Sequence, residues 1–217
     1  MKRFLLATVL LTLAACGGRS GPRSGNVLGS ALTLAKDNSA QPHPLGTSND
    51  FTKVVIAGKE YRFSNEPILG AGGYRGDEKA FINENLQYAR FGFFTYDNTP
   101  YVFAQGNESR HLPSRGVARY LGQTVSYNPG DQSRNFGSFR ATVDFGRKEL
   151  AARLFLPERS QQVYEIGGVK ITHNAFSGKN NALELDGHFY GYQGAEMAGV
   201  YSLKGEKSIG AFGARKQ

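Results

Sequence analysis

Phe139-Arg140-Ala141-Thr142-Val143-Asp144-Phe145 alternates without a break. Phe139, Ala141, Val143 and Phe145 fall on one face of an extended chain, and Arg140, Thr142 and Asp144 on the other. Successive side chains of a strand point to opposite faces, so this stretch reads as a strand with one face in a core and one in water. Gly146-Arg147-Lys148 turns the chain, and Glu149 to Phe155 returns.

The same signal spreads outward. Upstream, a long strand is expected over 116–127, and a hairpin from 86–96 through Asp97-Asn98-Thr99-Pro100 to 101–104. A further hairpin is expected where 52–57 meets Gly58-Lys59 and Glu60-Tyr61-Arg62-Phe63 returns. Downstream, strands are expected at 163–166, 169–172, 182–190, 196–203 and 208–214. Many short strands with turns between them imply an all-β barrel or sandwich, and closing the sheet removes exposed edges. A porin-like barrel is the competing architecture, but Arg140, Asp144 and Arg153 would then face lipid.

The amino terminus has a different character. Met1-Lys2-Arg3 is followed by the apolar run 4–13, the pattern of a cleaved secretory signal and far short of the roughly 20 apolar residues of a spanning helix. Leu13-Ala14-Ala15-Cys16 is similar to a bacterial lipobox, in which the cysteine is acylated. Cys16 is the only cysteine, so no disulfide can form within the chain, and several acyl chains anchor where one does not. Gly17 after the cysteine, instead of Asp, points to the outer membrane. The expected organisation is therefore a signal at 1–15, a lipidated Cys16 with a flexible linker over 16–50, and one β-domain over 51–217. Residues 27–35 could be a short strand or a helix.

The last forty residues carry three ordered motifs: Gly187-His188-Phe189-Tyr190-Gly191, Ala195-Glu196-Met197-Ala198-Gly199 and Gly210-Ala211-Phe212-Gly213-Ala214-Arg215. Together these resemble the C-terminal barrel signature of transferrin-binding-protein-B-like surface lipoproteins. Within that family the final domain of the neisserial heparin-binding antigen looks similar from about Phe51, and factor-H-binding protein more distantly. Tyr192 departs from the family, which often has proline there. The arginine run that precedes the antigen's barrel is missing, and Arg19 and Arg23 do not replace it.

The resemblance implies a small eight-stranded antiparallel β-barrel with a short N-terminal hairpin segment. It also implies a lipid-anchored outer-membrane location on the cell surface, in some relatives reached through an outer-membrane translocator. The ligands it implies are host molecules: transferrin, haemoglobin or its haem, a complement regulator, or a sulfated polysaccharide. The residues themselves leave the ligand open. The formal charge of +8 favours polyanions or acidic proteins. The densest basic patch is Arg110, His111, Arg115 and Arg119, with Arg134 and Arg140 further on.

Other chemistries lack their residues. The four histidines, His43, His111, His173 and His188, have no metal-site spacing, and no cofactor is expected beyond haem as a bound ligand. Gly70-Ala71-Gly72-Gly73-Tyr74-Arg75-Gly76 lacks the Gly-Lys-Ser/Thr ending of a phosphate loop and reads as a contact loop. Asp144-Phe145-Gly146 reads as a strand end and turn. A Gly-x-Ser-x-Gly elbow is absent, nothing points to nucleic acid, and the chain reads as a binding protein instead of an enzyme.

Overall fold

The computed structural model describes residues 26–46, 48–62, 74–76, 80–157 and 162–217. Its second half is a closed antiparallel barrel of eight strands: β9 (Val117–Asn128), β10 (Ser133–Asp144), β11 (Glu149–Leu156), β12 (Gln162–Thr172), β13 (Ala175–Lys179), β14 (Leu183–Tyr190), β15 (Glu196–Leu203) and β16 (Ser208–Lys216). Closure comes from β16 pairing back onto β9, with Phe212 opposite Thr124.

The alternation at 139–145 decides which face is inside. Phe139, Ala141 and Val143 are buried in the lumen, and Arg140 and Thr142 are exposed. Phe139 and Phe212 stack across the lumen with ring centroids 4.0 Å apart, and Phe176 and Phe189 meet edge-on at 5.2 Å. Side chains fill the interior, as in other small barrels. The outward charges and filled lumen are the reverse of a porin, which is apolar outside and polar within.

Two expected strands, 163–166 and 169–172, are one strand, β12. Gly168 takes a positive φ of 66°, and the register against β11 shifts between Leu150 and Ala152. β13 went unexpected because Phe176 is the one fully buried residue of its five.

The N-terminal part is larger than a hairpin. β1 (Val27–Leu34), β2 (Ala40–Pro42), β5 (Tyr74–Gly76), β6 (Ala80–Asn83), β7 (Ala89–Tyr96) and β8 (Thr99–Asn107) form one sheet in the order β2-β1-β8-β7-β6-β5. The expected hairpin is present as β3 (Lys53–Ile56) and β4 (Lys59–Arg62). The linker expected through Asp50 is thus corrected from Val27 onward, since β1 pairs with β8 over seven residues. Its alternation is blurred because both faces are covered. Ala31 packs with Val54, Ile56 and Phe103 on one side, and Leu34 with Phe93 and Ile209 on the other. Of the Gly-rich segment, Tyr74–Gly76 is the edge strand β5, and the rest lies outside the described residues, as do the signal and Cys16.

The molecule is therefore layered as hairpin, sheet, barrel. The sheet covers the outer faces of β15, β16 and part of β9 through Val125, Ala198, Val200, Ile209 and Ala211. The outer wall made by β10–β12 stays in water.

Candidate functional site

Strand directions place the 108–116 segment, the 145–148 and 173–174 turns, the 191–195 loop and the carboxyl terminus at one end of the barrel. The 108–116 segment crosses that end as a lid on the core. Ser109 N–H donates to the Phe189 carbonyl at 3.1 Å, and the Phe145 N–H donates to the Gly116 carbonyl at 3.0 Å. The Gly194 N–H donates to Ser109 Oγ at 2.9 Å, and Leu112 packs down on the barrel core. The Tyr120 hydroxyl is buried and donates to the Gly194 carbonyl at 2.6 Å; burial pushes its pKa well above the usual phenol range.

This end is basic. Arg110, His111 and Arg115 are exposed on the crossing segment, and Arg147 and Lys148 on the turn beside it. Lys216 reaches over the Phe145 ring at 5.4 Å. Arg110, Lys148, Leu112, His173 and Asn174 line a groove of about 690 Å³, while His111 stays outside it. Asn174 is buried, and its side-chain nitrogen has no hydrogen-bond partner among the described residues. Tyr192, 74% exposed, stands on the neighbouring loop where the backbone turns through positive φ at Gly191 and Gly194.

Arg119 belongs to a different surface. It points outward from β9, with Thr142 as its cross-strand neighbour. Arg140 follows on β10, opposite Leu121 on one side and Arg153 on the other. The sequence patch is thus split: Arg110, His111 and Arg115 stand at the barrel end, and Arg119 joins Arg140 on the wall. Arg134 is about six residues, or roughly 20 Å, along β10 from Arg140. Its guanidinium lies over Phe93 of the sheet, 5.8 Å from the ring centroid. Arg153, read from the sequence as an outward strand-face charge but not as part of the basic patch, stands directly opposite Arg140.

The histidines do not converge, and no cluster of metal-binding side chains exists among the described residues. His43 meets Tyr101 edge-on at 5.0 Å, beside a cleft of about 680 Å³ between sheet and barrel. His188 is held below its usual pKa by burial, opposed by Asp186 and Glu108.

The motif residue Glu196 is buried and turned toward the sheet. It accepts the Gln87 N–H at 2.7 Å and the Tyr88 N–H at 2.8 Å, with Arg215 Nε at 3.5 Å. Burial raises its pKa despite these bonds. Its role is to join the layers.

A family model described as the C-lobe and N-lobe β barrels of transferrin-binding protein B matches residues 112–216. That stretch belongs to the transferrin-binding protein B barrel family. The chain is 25% identical over 214 residues to transferrin-binding protein B of Moraxella catarrhalis, covering 79% of this chain and 29% of that protein. Transferrin-binding protein B of serogroup B Neisseria meningitidis superposes with a TM-score of 0.67 at 20% identity, over 88% of this chain and 44% of that one. HpuA from Kingella denitrificans, solved in complex with human haemoglobin, gives 0.61 at 14% identity, over 89% and 88%. The chain spans less than half the length of the transferrin-binding proteins it matches. The barrel here carries a β-sheet against its wall, and the family is one of binding proteins, not enzymes.

Proposed function

We propose that the chain is a bacterial surface lipoprotein, anchored to the outer membrane through Cys16, that captures a host iron-carrying protein. The single observation that carries this reading is the family match over 112–216, in relatives named for binding transferrin. HpuA, with the same fold, was solved with haemoglobin, so transferrin and haemoglobin are the two leading ligands and a complement regulator the third. The lumen is filled, so capture belongs to outer surfaces, the loops of the barrel end first among them. Haem enters as cargo of the captured protein. Delivery by an outer-membrane translocator belongs to the same proposal.

The test immobilises residues 17–217 and passes transferrin, haemoglobin and a complement regulator over the surface. Saturable binding of one iron carrier is the expected result. A folded protein that binds none of them overturns the reading. A visible absorption band on adding free haem would transfer the role from carrier to haem. In the native bacterium, Cys16→Ala should move the protein from the membrane fraction to the soluble one; retention would remove the lipid anchor from the proposal.

A further inference from the structure

One row of residues runs around the outer wall of the barrel, in register across six strands: Glu165, Arg153, Arg140, Leu121, Arg215, Glu196. Its two acids lie at its ends and each takes the arginine next to it. Glu165 Oε1 is 2.5 Å from Arg153, and Glu196 holds Arg215. Arg140, in the middle, has no acid. It stands directly opposite Arg153, with Arg119 on the diagonal two residues along β9. Neither Arg119 nor Arg140 makes an ion pair with any described residue, and both are exposed.

Like charges directly opposite each other weaken a sheet, and directly opposed partners lie only about 5 Å apart at Cβ. A wall shaped for stability alone would carry an acid at one of these positions. The wall is also shaped. Between the arginines runs a shallow trough of about 470 Å³, floored by Thr142, Ala151 and Gly167 and bordered by Arg140, Arg153 and Asn180. Small floor residues leave room for a chain to lie down, and the exposed Thr142 hydroxyl offers a partner to a polyol.

From Arg119 the cationic path continues through Arg115, Arg147 and Lys148 at the barrel end. The Arg115 Cα lies 4.0 Å from where a Cβ would stand on Gly146, so these side chains share one corner. Two strand spacings of about 4.8 Å and four residues of about 3.3 Å give a path of roughly 20 Å. It is narrow, follows a convex wall, and has only Val117 and Leu121 as exposed large apolar groups. A folded acidic protein would need apolar anchors in pockets. A linear polymer with its own repeating charge needs none.

We propose that Arg140 and Arg153 seat a linear anionic polysaccharide in this trough, with Arg119 beside it on β9 and Arg115, Arg147 and Lys148 extending the seat to the barrel end. Guanidinium groups suit sulfate and carboxylate alike, since both accept paired N–H donors. The trough on β10–β12 lies apart from the barrel-end loops assigned to capture of an iron carrier, although its extension shares Arg115, Arg147 and Lys148 with them, and each reading can fail without the other.

The test measures binding of a size-defined heparin octasaccharide to residues 17–217 by calorimetry across a salt series. A carboxylated, unsulfated octasaccharide of hyaluronate and poly-glutamate serve as the other probes. The variant R119Q/R140Q should bind about tenfold or more weakly, and its salt slope should fall by about one per arginine removed. K36Q/K59Q, which removes equal charge from exposed sites elsewhere, should bind as the parent does. Thermal stability of R119Q/R140Q should equal or exceed that of the parent, because a like-charge cluster has been relieved, so lost binding cannot be laid to unfolding. Whichever octasaccharide binds more tightly assigns sulfate or carboxylate. Failure of the parent to bind either octasaccharide, equal losses in both variants, or equal binding of poly-glutamate would each overturn the proposal.

Discussion

Glu196 stands in a run of small residues, Ala195-Glu196-Met197-Ala198-Gly199, and nothing in that run says where its carboxylate points. The fold turns it away from water onto the backbone of Gln87 and Tyr88 in the neighbouring layer. A buried carboxylate is costly unless it is fully bonded, and two amide donors with Arg215 nearby meet that need. Glu196→Ala would leave both N–H groups without an acceptor, a loss of roughly 2–4 kcal/mol. Glu196→Gln keeps one acceptor oxygen and should lose about half as much. Urea unfolding of the three proteins checks the order, and equal midpoints would remove Glu196 from the joint between layers. The exposed arginines are the opposite case. Arg110, His111, Arg115 and Arg119 are legible as basic residues close in sequence, but a strand carries Arg119 away from the first three and sets it beside Arg140 and Arg153.

β15 and β16 show why some elements resist a reading by alternation. β10 has one face in the lumen and one in water, so its pattern is clean. β15 and β16 have one face in the lumen and the other under the sheet, and nearly every residue is buried. Their sequences read as small and apolar throughout, with glycine where the layers approach most closely. A Cβ on Gly213 would stand 2.5 Å from the Phe91 ring and 2.7 Å from Leu86. Gly213→Leu would force the sheet off the barrel or the strand off its register, a cost of about 1–3 kcal/mol or more. Retained stability with an unshifted Phe91 resonance would show that this packing is looser than the geometry says. β1 was undecidable for the same reason, being covered on both faces, and β13 because it is short.

The three layers form a single folding problem. The outer face of the barrel under the sheet carries Val125, Tyr190, Val200 and Ile209, all buried in the intact chain. Contiguous apolar patches of this kind are uncommon on soluble monomers. The barrel expressed alone, residues 110–217, should therefore self-associate and bind a hydrophobic dye, while residues 26–217 stay monomeric. A monodisperse isolated barrel with the melting temperature of the longer chain would show that the sheet is only docked. The resting place of the sheet also fixes which surface can meet a partner: the β10–β12 wall and the basic end remain open.

The sequence by itself determined the strand chemistry and the all-β class. Alternation is a local property, and turns such as Gly146-Arg147-Lys148 are written in consecutive residues. It also carried the three family motifs in order. Only the tertiary structure decided which strands belong to the sheet and which to the barrel, that residues from Val27 onward join the fold, and which arginines stand together. Those outcomes depend on pairings between residues far apart in the chain. Arg140 meets Arg153 through one hairpin, β1 meets β8 across more than half of the described N-terminal part, and Glu196 meets Gln87 across 109 residues. No local period encodes such contacts, because the same pattern of apolar and polar residues fits many partners until the packed layers select one.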